Sequence, residues 1–316
     1  MRLPCLTPAV YMVMVKKIIL TLLETSVAET SETSRVLTQS PSHALTPDSR
    51  IQCIDMSCPE NNTGFPMISI ILPVYRNADF LNELISRLHH TLDDRGVEHE
   101  VVAVNDCSPD SSLQVLQTLV QRDPRLIVVD LKQNRGQHQA VLTGLTCVSG
   151  EWFASMDADL QDAPEDLPAL LDLATTKHAV VFAGRRGRYE SASRLFTSRL
   201  YKTLLSLIAG VPRDAGMFFV APAGLKDRIL AIKTRTPAVT AMLGGQPVRK
   251  ISLPVERSCR PSGRSGYSSV LRLKAGLRAI NCAVQCRLGG FSRSSPDYAG
   301  NIRTITRGKD LATCPR

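Results

Sequence analysis

The residues best equipped for chemistry lie in one short stretch, EWFASMDADLQDAPEDLP (151–168). There an apolar run stops at Asp157-Ala158-Asp159, with Gln161 and Asp162 close behind. Carboxylates and amide oxygens are hard donors. Mg2+ or Mn2+ takes such ligands, commonly one or two carboxylates completed by the phosphates of a substrate. Residues two apart on an extended segment point the same way, so Asp157, Asp159 and Gln161 can share one face. A solvated acidic turn is the other reading of these residues. Two further polar clusters follow apolar runs: Pro73-Val74-Tyr75-Arg76-Asn77 after ISIILPV, and Asn105-Asp106-Cys107-Ser108-Pro109-Asp110 after HEVVAVN. Neither holds the glycine pattern of a dinucleotide fold or of a P-loop.

The elements that must position these clusters alternate along the chain. ISIILPV (68–74), HEVVAVN (99–105), RLIVVDL (125–131), EWFASMD (151–157) and HAVVFAG (178–184) read as strands. Between them, 78–94, 111–122, 136–150 and 164–176 read as helices, the first carrying Phe80, Leu81, Leu84, Ile85 and Leu88 at helical spacing. VRKISLPV (248–255) supplies a last strand. Strands apolar on both faces, alternating with helices, predict an α/β domain with a mostly parallel sheet covered on both sides. Ligands of such sheets bind beyond the carboxyl ends of the strands, where all three polar clusters fall.

Of the 316 residues, 43% are apolar and 21% charged, as in an ordinary globular protein. The nine cysteines form no zinc-type pattern, and their odd number suggests reduced thiols in a cytosolic setting. Lys16 and Lys17 interrupt the N-terminal apolar run, so no transmembrane span is expected there. Residues 1–66 read as a disordered, Ser/Thr/Pro-rich extension, and 67–255 as the catalytic-type domain. Residues 256–288 read as a basic loop and amphipathic helix, and 289–316 as a disordered basic tail. From Arg249 onward there are 14 Lys and Arg against 3 Asp and Glu, within a whole-chain charge of +9. That basic region suggests an anionic partner, or simply a solvated tail.

The series ILPVYRN, VNDCSPD, NRGQHQAVLTGL and MDADLQDAPE resembles the nucleotide-sugar domain of family 2 glycosyltransferases, which have the GT-A fold, over about residues 67–285. DADLQ followed by PE, and RPSGRSGY (260–267), resemble the branch that transfers a sugar to a polyprenyl phosphate, dolichyl-phosphate mannosyltransferase being one example. The resemblance implies an inverting transfer of a hexose from a donor such as GDP-mannose or UDP-glucose to a dolichyl or undecaprenyl phosphate, at the cytosolic membrane face. Asp159 and Gln161 would hold Mg2+ or Mn2+, with Asp157 on the metal or the ribose. Asp106 would hydrogen-bond the base, Tyr75 and the Pro73 backbone would line its pocket, and Arg135 would lie near the nucleotide or on the open surface. No nucleic-acid partner is implied.

Arg186, Arg199 and Arg260 would bind the acceptor phosphate, unless they are ordinary surface arginines. A phosphate acceptor is already largely dianionic near neutral pH and needs no general base. Transfer to a sugar hydroxyl would need one, for which Asp214 is the candidate. A nucleotide-sugar binder without catalysis is a third reading. A haloacid-type phosphatase would need a lysine and a further acidic cluster after later strands. Three features depart from the family. Cys107 stands where glycine is usual and a Cβ is unwelcome at positive φ. Gly216-Met217-Phe218-Phe219 replaces GDFR. No membrane-spanning pair of helices follows residue 285. Val270, Leu273, Leu277, Ile280, Val284 and Leu288 form a stripe that could lie on a membrane or dock on the core. Asp110 reads as a helix cap, and His138 and His178 as core-edge or surface residues.

Overall fold

The computed structural model describes residues 66–186, 206, 208–234, 236–256, 276, 278–283, 285–286 and 297–308. The chain divides into two units, residues 1–61 and 62–316. The first lies outside the described residues, as do residues 187–205 and residues 257–275 of the expected basic loop and helix.

The elements run β1 (Ile68–Val74), α1 (Ala78–Asp93), β2 (His99–Asn105), α2 (Ser112–Val120), β3 (Leu126–Leu131), α3 (Gln137–Leu145), β4 (Trp152–Ser155), α4 (Leu167–Lys177) and β5 (Ala179–Arg186). They continue with β6 (Phe219–Pro222), α5 (Lys226–Leu230), α6 (Val239–Gly244), β7 (Arg249–Glu256) and β8 (Ile302–Arg307). The strands form one sheet in the order β7-β5-β6-β4-β1-β2-β3-β8. β4, β1, β2 and β3 pair in parallel, as do β5 and β7, whereas β6 and β8 run against their neighbours. The expected mostly parallel α/β sheet is therefore present with two antiparallel insertions.

Both insertions correct the sequence reading. β6 lies within the run MFFVAP, where apolar residues too few for an independent signal become a strand by pairing with β4 and β5. β8 lies inside the tail expected to be disordered. Its alternating IRTITR has little apolar content, and its place is fixed by pairing with β3 from Ile127↔Arg307 to Leu131↔Ile302. Arg303 donates to Asp130 Oδ2 at 3.0 Å, and Asn105 Nδ2 donates to its Oδ1 at 2.7 Å. Tyr298, just before the strand, is 4% exposed and belongs to the core.

The core has two layers, one on each sheet face. Ile71, Val102, Val104 and Val129 pack with α3 and α6, while Ile70, Leu72, Val101 and Ala103 pack beneath α1, α2 and α4. Opposite faces of the same strands are thus both apolar, which is why these runs do not alternate with polar residues. α1 buries Leu81, Leu84, Ile85, Leu88 and Leu92 along one stripe. At about 2 kcal/mol per buried aliphatic side chain, that stripe stabilises the docked helix by roughly 10 kcal/mol before entropy is counted. α3 sits closer to the sheet than a Cβ would permit. A Cβ on Gly144 would come 2.6 Å from Ile71 Cγ2 and 2.9 Å from Val104 Cγ2.

Of the amphipathic stripe Ile280 is described, within the helical residues 278–283. Ala279, Ile280, Cys282 and Ala283 are buried, and Asn281 Nδ2 donates to Thr236 Oγ1 at 3.4 Å. This part docks on the core, with Arg278 exposed. No helix among the described residues is long and apolar enough to cross a membrane.

Candidate active site

The carboxyl ends of β1, β2 and β4 meet through hydrogen bonds between their loops. Asp106 N donates to Val74 O at 2.9 Å, Arg76 N to Ser108 Oγ at 2.8 Å, and Met156 N to Ile71 O at 3.3 Å. Asp110 accepts from Ser112 N at 3.1 Å and from Ala78 N at 3.2 Å, the first N–H groups of α2 and α1, while the N-cap positions themselves fall to Ser111 and Asn77 and not to Asp110. Ser108 and Ser112 were not singled out from the sequence. Their hydroxyls serve loops more than thirty residues away, which no local pattern announces.

After β4 the backbone is not extended. Residues 158–159 turn and Leu160 adopts φ 57°, so the alternation expected to align Asp157, Asp159 and Gln161 does not operate as drawn. Met156, Ala158 and Leu160 all enter the apolar cluster under α1 and α4. Asp159, only 5% exposed, accepts from Gln161 N at 3.2 Å, while Asp157 and Gln161 remain partly exposed. Gln137, the first residue of α3, donates from Nε2 to Asp157 Oδ1. No group of three or more His, Cys, Asp or Glu forms a cation cage among the described residues. The two carboxylates and the Gln161 amide are an all-oxygen set that suits Mg2+ or Mn2+ when water and substrate phosphates supply the remaining ligands.

Asp106, expected to meet a base, has both oxygens on the neighbouring loop. Arg135 N donates to Oδ1 and Gly136 N to Oδ2, each at 2.7 Å. Burial raises its carboxyl above the usual range, and those two N–H groups pull part of the way back. Tyr75 is 43% exposed at the rim, with the Arg76 guanidinium 5.5 Å from its ring centroid. Pro73 is buried in β1 beside Val104. The Arg135 side chain borders a cavity of about 400 Å3 shared with Lys132, Asp297 and Asn301, so the C-terminal segment forms one wall of this edge. His138 accepts from Val239 N at 3.3 Å, and burial lowers its pKa to about 4, which keeps it neutral at the core edge.

On the other side, Arg186 ends β5 in register with Glu256 of β7, inside the strand and not in the loop expected to follow it. Arg199 and Arg260 lie outside the described residues. Asp214 precedes β6, whose Phe219 pairs with Ser155 of β4, so it reaches the same sheet edge as Asp157. Ser252 Oγ donates to Asp214 Oδ2 at 2.7 Å. A Cβ on Gly184 would stand 2.2 Å from each of these two oxygens, so any larger residue there would displace the Asp214–Ser252 pair.

Cys107 has φ 51°, the left-handed conformation anticipated for a position that usually holds glycine. Left-handed backbone costs an L-residue roughly 1–2 kcal/mol, while glycine carries an entropy cost of about 0.5–1 kcal/mol. Cys107→Gly is therefore expected to raise stability by about 0.5 kcal/mol. Chemical denaturation would show this, and a fall in midpoint would mean that the thiol makes a compensating contact.

A parallel-rich sheet with helices on both faces, three polar loops at one edge and an acidic turn after its fourth strand is the GT-A architecture. Consistent with this, glucosyl-3-phosphoglycerate synthase from Mycobacterium tuberculosis, solved with Mn2+, UDP and glucosyl-3-phosphoglycerate, superposes with a TM-score of 0.50 at 18% identity. The match covers 72% of this chain and 82% of that one. The glycosyl transferase family 2 model matches residues 69–224. An undecaprenyl-phosphate 4-deoxy-4-formamido-L-arabinose transferase of Edwardsiella ictaluri (strain 93-146) is 30% identical over 228 residues, 71% of this chain and 70% of its own length. Its counterpart in Pseudomonas aeruginosa (strain LESB58) is 31% identical over 219 residues, 68% of this chain and 65% of its own length. The chain thus spans about two thirds of the length of these relatives, and it belongs to glycosyl transferase family 2.

Proposed function

We propose that the protein transfers a sugar from a nucleotide-diphosphate donor to a polyprenyl phosphate, with inversion and with Mg2+ or Mn2+ held by Asp157, Asp159 and Gln161. The observation that carries this reading is the meeting of the Asp106 loop, Gln137 and the Asp157–Gln161 turn at one sheet edge, in a family 2 chain whose relatives are named as undecaprenyl-phosphate transferases. Tyr75 and the Pro73 backbone hold the base, Asp106 reaches it from the loop it braces, and Arg135 lies beside the nucleotide. When bound, the cation offsets the charge that grows on the departing diphosphate. Arg186, Arg199 and Arg260 receive the acceptor phosphate, whose oxygen attacks the anomeric carbon without help from a base. A lipid acceptor places the protein at the cytosolic membrane face.

The test is transfer to a short-chain polyprenyl phosphate, with Mn2+ and then with EDTA. GDP-mannose, UDP-glucose and a nucleotide-linked 4-deoxy-4-formamido-L-arabinose would be tried separately. A metal-dependent lipid-linked sugar is the expected result. Donor binding without any lipid product would sink the acceptor assignment and favour a hydroxyl acceptor, for which Asp214, oriented by Ser252, would be the base.

A further inference from the structure

Gln137 was not among the residues that the sequence suggested for the site, yet its position is fixed from three directions. Gly136, immediately before it, has φ 87°, a conformation that L side chains rarely adopt. The N–H groups of Arg135 and Gly136 are both bound to Asp106 at 2.7 Å, which pins the start of α3 to the end of β2. Farther along, Ala140 to Leu145 are all buried, and Gly144 lets the helix lie against Ile71 and Val104. The helix therefore presents its first side chain from a rigid mount, and that side chain donates to Asp157 Oδ1.

We propose that Gln137 is a positioning residue for Asp157, a neutral donor that orients the carboxylate for a divalent cation without cancelling its charge. The choice of an amide is the informative part. Lysine or arginine at this place would orient Asp157 equally well but neutralise it, and would compete with the cation for the same oxygens. Glutamate would repel it and offer no donor. An amide fixes the plane of the carboxylate and adds no positive charge of its own to the site. The same short helix start also holds Asp106, so the carboxylate assigned to the base and the one assigned to the cation share a single rigid mount. This inference rests on the metal-dependent reading proposed above.

The experiment is calorimetric titration of UDP and GDP into the protein over a range of Mn2+ concentrations, without acceptor, for wild type, Gln137→Met, Gln137→Lys and Gln139→Met. Removing one hydrogen bond to a charged group should raise the half-saturating Mn2+ concentration about tenfold in Gln137→Met. Metal-free nucleotide affinity and the melting temperature should not move. Gln137→Lys should lose the Mn2+-dependent part of binding while its metal-free affinity does not fall. Gln139→Met, on the same helix and lining the cavity beside Arg135, separates effects through that cavity from effects through Asp157, and its Mn2+ dependence should stay that of wild type. If Gln137→Met and Gln137→Lys keep the wild-type Mn2+ dependence, the positioning role is wrong while the metal site stands. If the wild type shows no Mn2+ dependence with either nucleotide, both the metal site and the role of Gln137 fall together.

Discussion

Asp159→Asn should abolish metal-dependent nucleotide binding and lower sugar transfer roughly a thousandfold, the scale of losing one preorganised charge-stabilising group. The substitution is informative because it removes the charge and keeps the shape. Asparagine has nearly the same volume, and its Oδ1 can still accept from Gln161 N, the bond that shapes the turn. Asp159 is almost fully buried, so the two N–H groups of an amide in its place need acceptors inside the protein. A fall in stability of about 1–3 kcal/mol is expected, the cost of a buried donor left without an acceptor, which leaves the domain folded. Thermal melting and Mn2+-dependent nucleotide binding, measured on the same preparation, separate the two effects. Survival of metal-dependent binding in this variant would show that the cation lies elsewhere. Unfolding would instead give the carboxylate a structural role.

Deleting residues 297–316 should destabilise the domain by about 5 kcal/mol, a large share of the 5–15 kcal/mol that holds a typical domain together. Three losses combine. Tyr298 leaves the core, an aromatic burial contributing about 2–3 kcal/mol. β3 loses its β8 partner and becomes an exposed edge. Asp130, only 3% exposed, loses the Arg303 guanidinium and keeps just the Asn105 amide. A milder variant, Arg303→Met, retains the strand and removes the bond to Asp130 together with a longer one to Lys132 O at 3.3 Å, for an expected cost of about 1–3 kcal/mol. Urea denaturation of both variants would report these changes. Equal midpoints for the truncated and full chains would mean that β8 contributes nothing to the fold, as a disordered tail would.

How much could be read in advance differs from element to element. β2 is found over the residues its apolar run suggested, and α1 ends within one residue of its expected limit, because burial on both faces or along one stripe leaves a strong local pattern. β6 and β8 left no such pattern. Four residues of one and the alternating IRTITR of the other become strands only because β4 and β3 offer them unpaired edges. The acidic turn was found by composition, but its geometry was misjudged. The turn over 158–159 and the positive φ of Leu160 have no local signature, since alternating acidic and apolar residues read equally well as an extended segment.

The sequence by itself determined the chemistry on offer: oxygen ligands after the fourth strand, an acidic loop after the second, a tyrosine at the first, and, through the family resemblance, a glycine-type position at Cys107. These are local properties, set by residue type, strand-end position and backbone preference. Only the tertiary structure decided which partner each group serves. Asp106 braces the start of α3, Gln137 meets Asp157, Asp214 rests on Ser252 over Gly184, and Arg303 reaches Asp130 across 173 residues. Such pairings are between residues remote in sequence. They follow from the order of strands in the sheet and the close packing of its layers, neither of which any short stretch of the chain encodes.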